Sequence, residues 1–282
     1  MFDVIDGQSF LRESRIGCPL CGGDNPSRII PANYGMIASF AYCDDCVLGY
    51  QTPRPSESAS AAYMDWRWRS GGEYVSDTPA KRRRAAKALS VALNGNPPPA
   101  SLLDFGAGSG IFVREAIESG IDAVGLEQSE GAIEKAREIG VELVREIPDR
   151  KFDMITMWDV IEHLRDPQAV LSLLAPYLAD NGVLVVETGN YENWTRVAEG
   201  DRWNLYLLDH HFYFTPHSLE RVARDAGYSS FQLSQAGRVR PSKRLIYRNF
   251  ARYLKSGAEY RRALRQWPEH GDINVMVAFL RK

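Results

Sequence analysis

The stretch Ser101-Leu102-Leu103-Asp104-Phe105-Gly106-Ala107-Gly108-Ser109-Gly110 limits the fold of this chain more than any other. It reads as a short buried strand that breaks into a glycine-rich turn, with a helix over Ile111 to Glu118 starting at once. Glycines at alternate positions let the backbone take conformations closed to other residues and admit a ligand close to the main chain. The first N–H groups of the following helix then face that ligand. A dinucleotide fingerprint, G-x-G-x-x-G, needs glycine at 111, where the chain has Ile111. An acid at the strand's end, Asp104, favours instead a cationic ligand without a pyrophosphate.

The residues that follow repeat on the period of a wound sheet. Asp122 to Glu127 is a second apolar strand, ending in a carboxylate about 20 residues past the glycines, where dinucleotide-type sheets bind ribose hydroxyls. Ser129 to Ile139 reads as a helix, Val141 to Val144 as a third strand and Phe152 to Trp158 as a fourth. Gln168 to Leu178 reads as a helix closed by Asn181-Gly182, and Val183 to Glu187 as a fifth strand. Strands alternating with helices predict a doubly wound, mostly parallel α/β sheet. Ligands of such sheets lie at the carboxyl ends of the strands, which is where Asp104, Glu127, Asp159 and Glu187 fall.

Together, the Asp-x-Gly-x-Gly-x-Gly turn and Glu127 resemble the class I S-adenosylmethionine (SAM) dependent methyltransferases. The resemblance implies a Rossmann-like, seven-stranded sheet and SAM as cofactor. It implies that SAM is held by Asp104, Gly106, Ala107, Gly108, Gly110, Glu127 and Gln128, with Asp159 lining the pocket. Relatives usually carry an acid for the adenine amine in a longer loop after the third strand. Here the link Arg145 to Lys151 is short, and Glu146 is the nearest approximation.

The four cysteines form two C-x-x-C knuckles, Cys18-Pro19-Leu20-Cys21 and Cys43-Asp44-Asp45-Cys46, separated by 21 residues. Paired knuckles at about that spacing predict a tetrahedral zinc site, structural because protein thiolates fill all four positions. The N-terminus is too polar for a signal peptide and no apolar run reaches membrane-spanning length, so the expectation is a soluble, cytoplasmic protein. The formal net charge of −2 gives no global field for nucleic acid.

Read in order, residues 1–55 form a zinc ribbon and 56–98 a linker and helical lid. Residues 99–282 form the SAM-binding domain, with insertions at about 190–211 and 236–271. Helices ahead of the glycine turn commonly cap the SAM pocket in this superfamily, so Tyr63 and Tyr74 are candidate substrate contacts. Lys81-Arg82-Arg83-Arg84 reads as the solvated face of a helix. Thr215 is the expected N-cap of a helix with Pro216 at its first position. Phe231 to Ser234 and Ile273 to Leu280 are expected to be the last two strands. Between them, Gly237 to Gln266 holds ten basic residues against one acid. Arg244, Arg248 and Arg252 share a stripe there that suits a phosphate or pyrophosphate.

Two stretches carry candidate chemistry. Asp159-Val160-Ile161-Glu162-His163 resembles the Glu-x-x-Glu-His stretch of ubiquinone-biosynthesis O-methyltransferases, which implies a metal at Asp159, Glu162 and His163. Other relatives carry a similar sequence without metal. On that reading Asp159 lines the pocket and a Glu162–His163 hydrogen bond fixes the loop. Asp209-His210-His211-Phe212-Tyr213-Phe214-Thr215 is similar to the acid-His-x-x-Tyr-Phe-Ser stretch of zinc-containing sugar C-methyltransferases. This makes His210 the expected general base, Asp209 its orienting acid and Tyr213 a substrate contact, with Asp159 and His163 as further catalytic candidates. The reaction expected is methyl transfer to a small, phosphate-bearing metabolite such as a nucleotide sugar. Two other readings are an RNA methyltransferase gripping through ribbon and basic helix, and a non-catalytic SAM-fold partner. Near-neutral charge argues against the first, and the intact Asp104/Gly106/Glu127 set against the second.

Overall fold

A computed structural model describes residues 16–26, 28–30, 39–70, 76–193, 196, 203, 206–234 and 275–282. Two sheets organise them. The larger is seven-stranded. It comprises β4 (Ser101–Phe105), β5 (Asp122–Leu126), β6 (Leu143–Val144), β7 (Phe152–Trp158), β8 (Leu178–Gly189), β10 (Ser230–Leu233) and β11 (Val275–Arg281). Their order is β10-β11-β8-β7-β4-β5-β6. All neighbours run parallel except at β11, which is antiparallel to both β8 and β10. The expected mostly parallel, Rossmann-like sheet is therefore present, and its strand order reverses between β4 and β7.

The two-residue alternation of the strands explains the double winding. Leu102, Met154, Val183, Val185, Val277 and Phe279 face one core with α2 (Pro79–Leu93) and α3 (Ile111–Glu118). Leu103, Ile155, Met157, Leu184, Val186, Ala278 and Leu280 face the other. That second core holds α5 (Pro167–Leu174) and α6 (Pro216–Asp225). Successive side chains of a strand point to opposite faces, so a continuous apolar run must be covered on both.

Several local expectations shift at their edges. The third strand shortens to Leu143–Val144, because Val141 is buried against Val113 and Ala136 instead. The helix expected to reach Leu178 ends at Leu174, and Ala175–Tyr177 is a 3-10 turn. Pro176 lacks the N–H that a further helical turn requires. Asn181-Gly182 lies within β8, which begins at Leu178. Thr215 caps α6 as expected, in a reciprocal arrangement with Ser218.

The smaller sheet, β1 (Arg28–Ile30), β2 (Phe40–Cys43), β3 (Leu48–Gln51) and β9 (Phe212–Tyr213), is antiparallel. Its fourth strand comes from far along the chain, so the sheet crosses the boundary drawn at residue 55. Cys18, Cys43, Cys46, Leu48 and Tyr50 share a core cluster with Leu103, Ile155 and Val186 of the large sheet. Phe40, Tyr42, Tyr191, Trp203, Tyr206 and Tyr213 stack into an aromatic layer on the ribbon. α1 (Glu57–Ser70) follows the ribbon and buries none of its residues.

Candidate active site and cysteine cluster

The carboxyl ends of β4, β5, β7 and β8 open into a cleft of about 1020 Å³, roofed by α1 and α2. Its floor is the glycine turn. Gly106 and Gly108 have φ of +78° and +53°, and the Gly106 and Ala107 N–H groups both donate to Leu126 O at 2.9 Å. A Cβ on Gly106 would stand 2.6 Å from Val160 Cγ2, and one on Gly108 2.9 Å from Trp68 Cη2 of α1. These two glycines are required by both conformation and close approach. Gly110 serves differently. It starts α3 and packs against Ala136 and Val141, away from the cleft lining.

Acids surround the turn. Asp104 is buried and accepts from Thr156 Oγ1 at 2.7 Å; burial pushes its carboxyl up to about 7, with the Glu127 charge adding to the rise. Glu127 lies folded over the turn. Its Oε2 accepts from Gly108 N–H (2.9 Å), and its Oε1 from Gln128 N–H (2.7 Å) and Ser129 N–H (2.9 Å). Gln128 lines the cleft, whereas Glu146 is exposed and lies outside the lining.

At the far side, Asp159 has a left-handed φ of +52°, which turns its carboxylate towards Arg84 of α2 at 2.5 Å. Arg84 also donates to Glu187 at 3.3 Å. Burial pushes Glu187 up to about 7, Asp159 adds to the rise, and Arg84 opposes it. Arg82, Arg83 and Arg84 are all exposed, as a solvated helix face requires, but Arg84, with Lys81, also lines the cleft. Helical periodicity shows which residues share a face, and only the sheet shows that this face meets two carboxylates.

The third wall carries the histidines. His163 Nδ1 lies 2.7 Å from the Asp209 carbonyl oxygen. A carbonyl only accepts, so Nδ1 carries a proton, and in the neutral ring the lone pair is on Nε2. The His163 and His210 rings meet edge to face, 4.8 Å between centroids, and both line the cleft. Burial pushes His210 down to about 3, His163 adds to the drop, and Asp209 opposes it. Asp209 is buried and pairs with Arg67 of α1, and its Oδ1 has no partner among the described residues. Burial alone would raise the Asp209 carboxyl, but His163, His210 and Arg67 together hold it below the usual range.

Glu162 and His163 do not bond each other. Glu162 is buried and accepts from Thr188 Oγ1 at 2.9 Å, while His163 holds Asp209. The ligand triplet that converges is Glu162, His163 and His210, within 4.8 Å of one another, in place of Asp159, Glu162 and His163. Tyr213 and Tyr63 lie outside the cleft lining. Tyr213 is buried in the aromatic layer, its hydroxyl accepting from Leu207 N–H at 3.0 Å, and Tyr63 packs on that layer's edge. Trp68, Arg67, Arg84 and Glu187 are cleft residues that the site assignment from sequence missed. Glu187 alone had a legible signal, its place at a strand's carboxyl end. Tyr74, Arg244, Arg248 and Arg252 lie outside the described residues.

The two cysteine knuckles are separated by 21 residues of sequence but meet within one small volume. All four sulfurs lie within 4.8 Å of one another, and Cys21 and Cys43 Sγ are 3.8 Å apart. A tetrahedral ion with metal–sulfur bonds of about 2.3 Å separates its ligands by about 3.8 Å. All four are free thiols, three of them buried. Burial pushes Cys18 up to about 11 and also raises Cys46, while the Gly23 N–H leads the effects that lower Cys21. A cation is the missing charge that would let such a cluster ionise. Arg221 of α6 donates to Cys46 Sγ at 3.1 Å, as an outer hydrogen bond to a thiolate would. The donor set fits a structural metal.

Comparison with known proteins agrees with this architecture. Residues 78–233, more than half the chain, match the methyltransferase domain family model. A ubiquinone biosynthesis O-methyltransferase of Psychrobacter arcticus is 27% identical over 150 residues, spanning 45% of this chain and 58% of that protein. One from Rhodopseudomonas palustris is 32% identical over 129 residues, 42% of this chain and 49% of that one. The chain thus spans about half the length of these curated relatives. Among solved structures, the plantazolicin methyltransferase BpumL with S-adenosylhomocysteine aligns over 79% of this chain and 95% of its own, with TM-score 0.51 and 19% identity. A SAM-dependent methyltransferase from Archaeoglobus fulgidus aligns over 71% and 94%, with TM-score 0.50 and 16% identity. At those identities the likeness is one of fold. With the matched family model covering its glycine turn, its acids and its histidine wall, the chain belongs to the methyltransferase domain family.

Proposed function

We propose that the protein is a SAM-dependent methyltransferase acting on a small molecule. The observation that carries this reading is the acid-lined glycine cleft at the reversal point of the sheet. Seven acidic residues, Asp65, Asp104, Glu127, Glu130, Asp159, Glu162 and Glu187, stand on its lining against three basic ones, Arg67, Lys81 and Arg84. That charge suits a cationic sulfonium and repels a pyrophosphate. SAM, when bound, supplies the methyl group and its own leaving group. The chain's part is to bind, align and exclude water. Glu127, whose two oxygens already gather three N–H donors, holds ribose hydroxyls; Gly106 and Gly108 admit the nucleoside. Arg84 clamps the α-carboxylate, with Asp159 and Glu187 at the ammonium.

For the acceptor's proton, His163 replaces His210 as the leading base. Its Nδ1–H is fixed on Asp209 O, which leaves Nε2 to accept. His210, held neutral with a pKa of about 3, is a weaker base and packs the His163 ring from the side. The finer reading of the acceptor as a phosphate-bearing metabolite rests on the sequence of the basic run Gly237 to Gln266, which lies outside the described residues. We assign zinc to Cys18, Cys21, Cys43 and Cys46. Calorimetry tests the cofactor. SAM or its demethylated product binds at micromolar Kd, and Glu127→Ala weakens binding by about 1.5–3 kcal/mol, the scale of a charge-assisted hydrogen bond. Unchanged affinity in that variant, or tight binding of NADH, rejects the reading.

A further inference from the structure

The loop that carries His210 is held from two sides, and one side is the cysteine ribbon. β3 ends at Gln51, which is completely buried. The Gln51 backbone N–H donates to His211 O at 3.0 Å, and its side-chain Nε2 donates to Leu208 O at 3.0 Å. Its Oε1 accepts from His211 Nδ1 at 2.9 Å. One side chain therefore grips both ends of the turn 208–211. From the opposite side His211 N–H donates to Glu162 O at 2.8 Å, and His163 Nδ1–H donates to Asp209 O at 2.7 Å. Between the two grips stands the His210 ring, in the cleft wall.

The ribbon end of this connection is equally direct. Cys46 and Gln51 are separated only by Val47 and the residues of β3, and β3 pairs with β9 immediately after the histidines. Val47, at φ 54°, offers its carbonyl to Thr215 Oγ1 at 2.8 Å. The Cys43–Cys46 turn closes the β2–β3 hairpin, with Cys43 opposite Leu48. An ion drawing four sulfurs together thus sets the start of β3, the strand whose other end carries Gln51.

We propose that Gln51 is a positioning residue that ties the four-cysteine site to the His163–His210 pair. The ribbon holds the reactive loop in register without touching the substrate. Only the activity readout of this inference rests on the methyltransferase reading; the coupling itself is structural.

The test compares full-length wild type and Gln51→Met, each zinc-loaded and zinc-stripped, by hydrogen exchange, histidine ring NMR shifts, SAM titration and turnover. Methionine fills the space of glutamine but leaves Leu208 O and His211 Nδ1 unpaired. Exchange over 208–213 rises about tenfold, the scale of one lost buried hydrogen bond, while β4 amides stay protected. SAM affinity stays within about twofold, and kcat falls at least about tenfold with KM for SAM unchanged. Gln51→Glu, which keeps the acceptor for His211, recovers part of the protection. Stripping zinc from wild type reproduces the loosening, and stripping Gln51→Met adds little to it. Unchanged exchange and ring shifts in both the variant and the stripped protein overturn the proposal. So does equal loosening at β4, which marks a general loss of stability, or full additivity of the two changes. A loop that loosens in a protein unable to transfer methyl groups supports the coupling and counts against the proposed function.

Discussion

Asp104 shows how a single carboxyl is held in a costly state by the fold around it. It is buried beneath the glycine turn with Thr156 Oγ1 as a hydrogen-bond donor, and burial raises its pKa from 3.8 to about 7. A raised carboxyl pKa means that the folded protein favours the protonated form. Its stabilising contribution is complete below about pH 4 and is lost as pH rises through 7. Asp104→Asn keeps the acceptor for Thr156 and removes the charge. It is expected to raise the apo protein's melting temperature at pH 8 and to change it little at pH 4, as calorimetric scans at both pH values would show. Glu187 titrates in the same window, with a different consequence. If its charge holds the cofactor's ammonium, SAM affinity falls as pH drops from 8 to 6, and Glu187→Gln flattens that profile in fluorescence titrations. Gly106→Ala, at φ +78° and 2.6 Å from Val160, is expected to cost more than about 2 kcal/mol in denaturant unfolding and to abolish SAM binding.

Among the elements, α1 and α2 cover the cleft by different means. α2 has an apolar face on the sheet, with Ala85, Leu89 and Ala92 buried, and a Thr78 N-cap. α1 has no buried residue and is held by polar ties. Asp65 accepts from Gly131 N–H at 3.0 Å and Ser129 Oγ at 3.3 Å, at the start of α4 (Glu130–Glu138). There a carboxylate satisfies free amides and meets the positive end of the helix dipole. Arg67 reaches Asp209, and Trp68 stands over Gly108. An element whose apolar side chains are at most half-buried opens at smaller free-energy cost than one with a buried face. Asp65→Ala is expected to make α1 the first site of limited proteolysis and to raise the Kd for SAM several-fold, with saturating SAM restoring protection. Equal cleavage rates for wild type and variant would show that α1 is held by something other than these ties.

At the scale of the molecule, the cysteine ribbon and the large sheet share one core and one hydrogen-bonded edge. Arg221, on α6, reaches both Cys46 Sγ (3.1 Å) and Leu20 O (3.3 Å). Outer-shell partners of metal ligands typically contribute about 10–100-fold to affinity. Arg221→Ala is therefore expected to weaken zinc retention by about that factor in competition with a chromogenic chelator, while leaving SAM titrations unchanged. No helix among the described residues is long and apolar enough to cross a membrane.

Features governed by neighbours in the chain were legible in the sequence. The glycine turn, the β–α alternation, the Thr215 cap and the paired knuckles are short-range patterns, and each reappears in the structure. Asp104 and Glu127 were legible for the same reason: strand periodicity places both at carboxyl ends. The acceptor side of the cleft was not, because it is assembled by contacts between residues about 50 to 160 apart in the chain. Nothing in Lys81-Arg82-Arg83-Arg84 says that one guanidinium meets Asp159 and Glu187. Nothing near Asp209 says that Arg67 neutralises it or that Gln51 holds the next turn. Tyr213, the last residue of β9, went to the ribbon's aromatic layer because β9 pairs with β3 and turns that side chain away from the cleft. Sequence determined the strand ends and their acids. Only the tertiary structure decided which charges face one another, because burial and pairing across the two sheets set both the geometry and the protonation of the groups that remain.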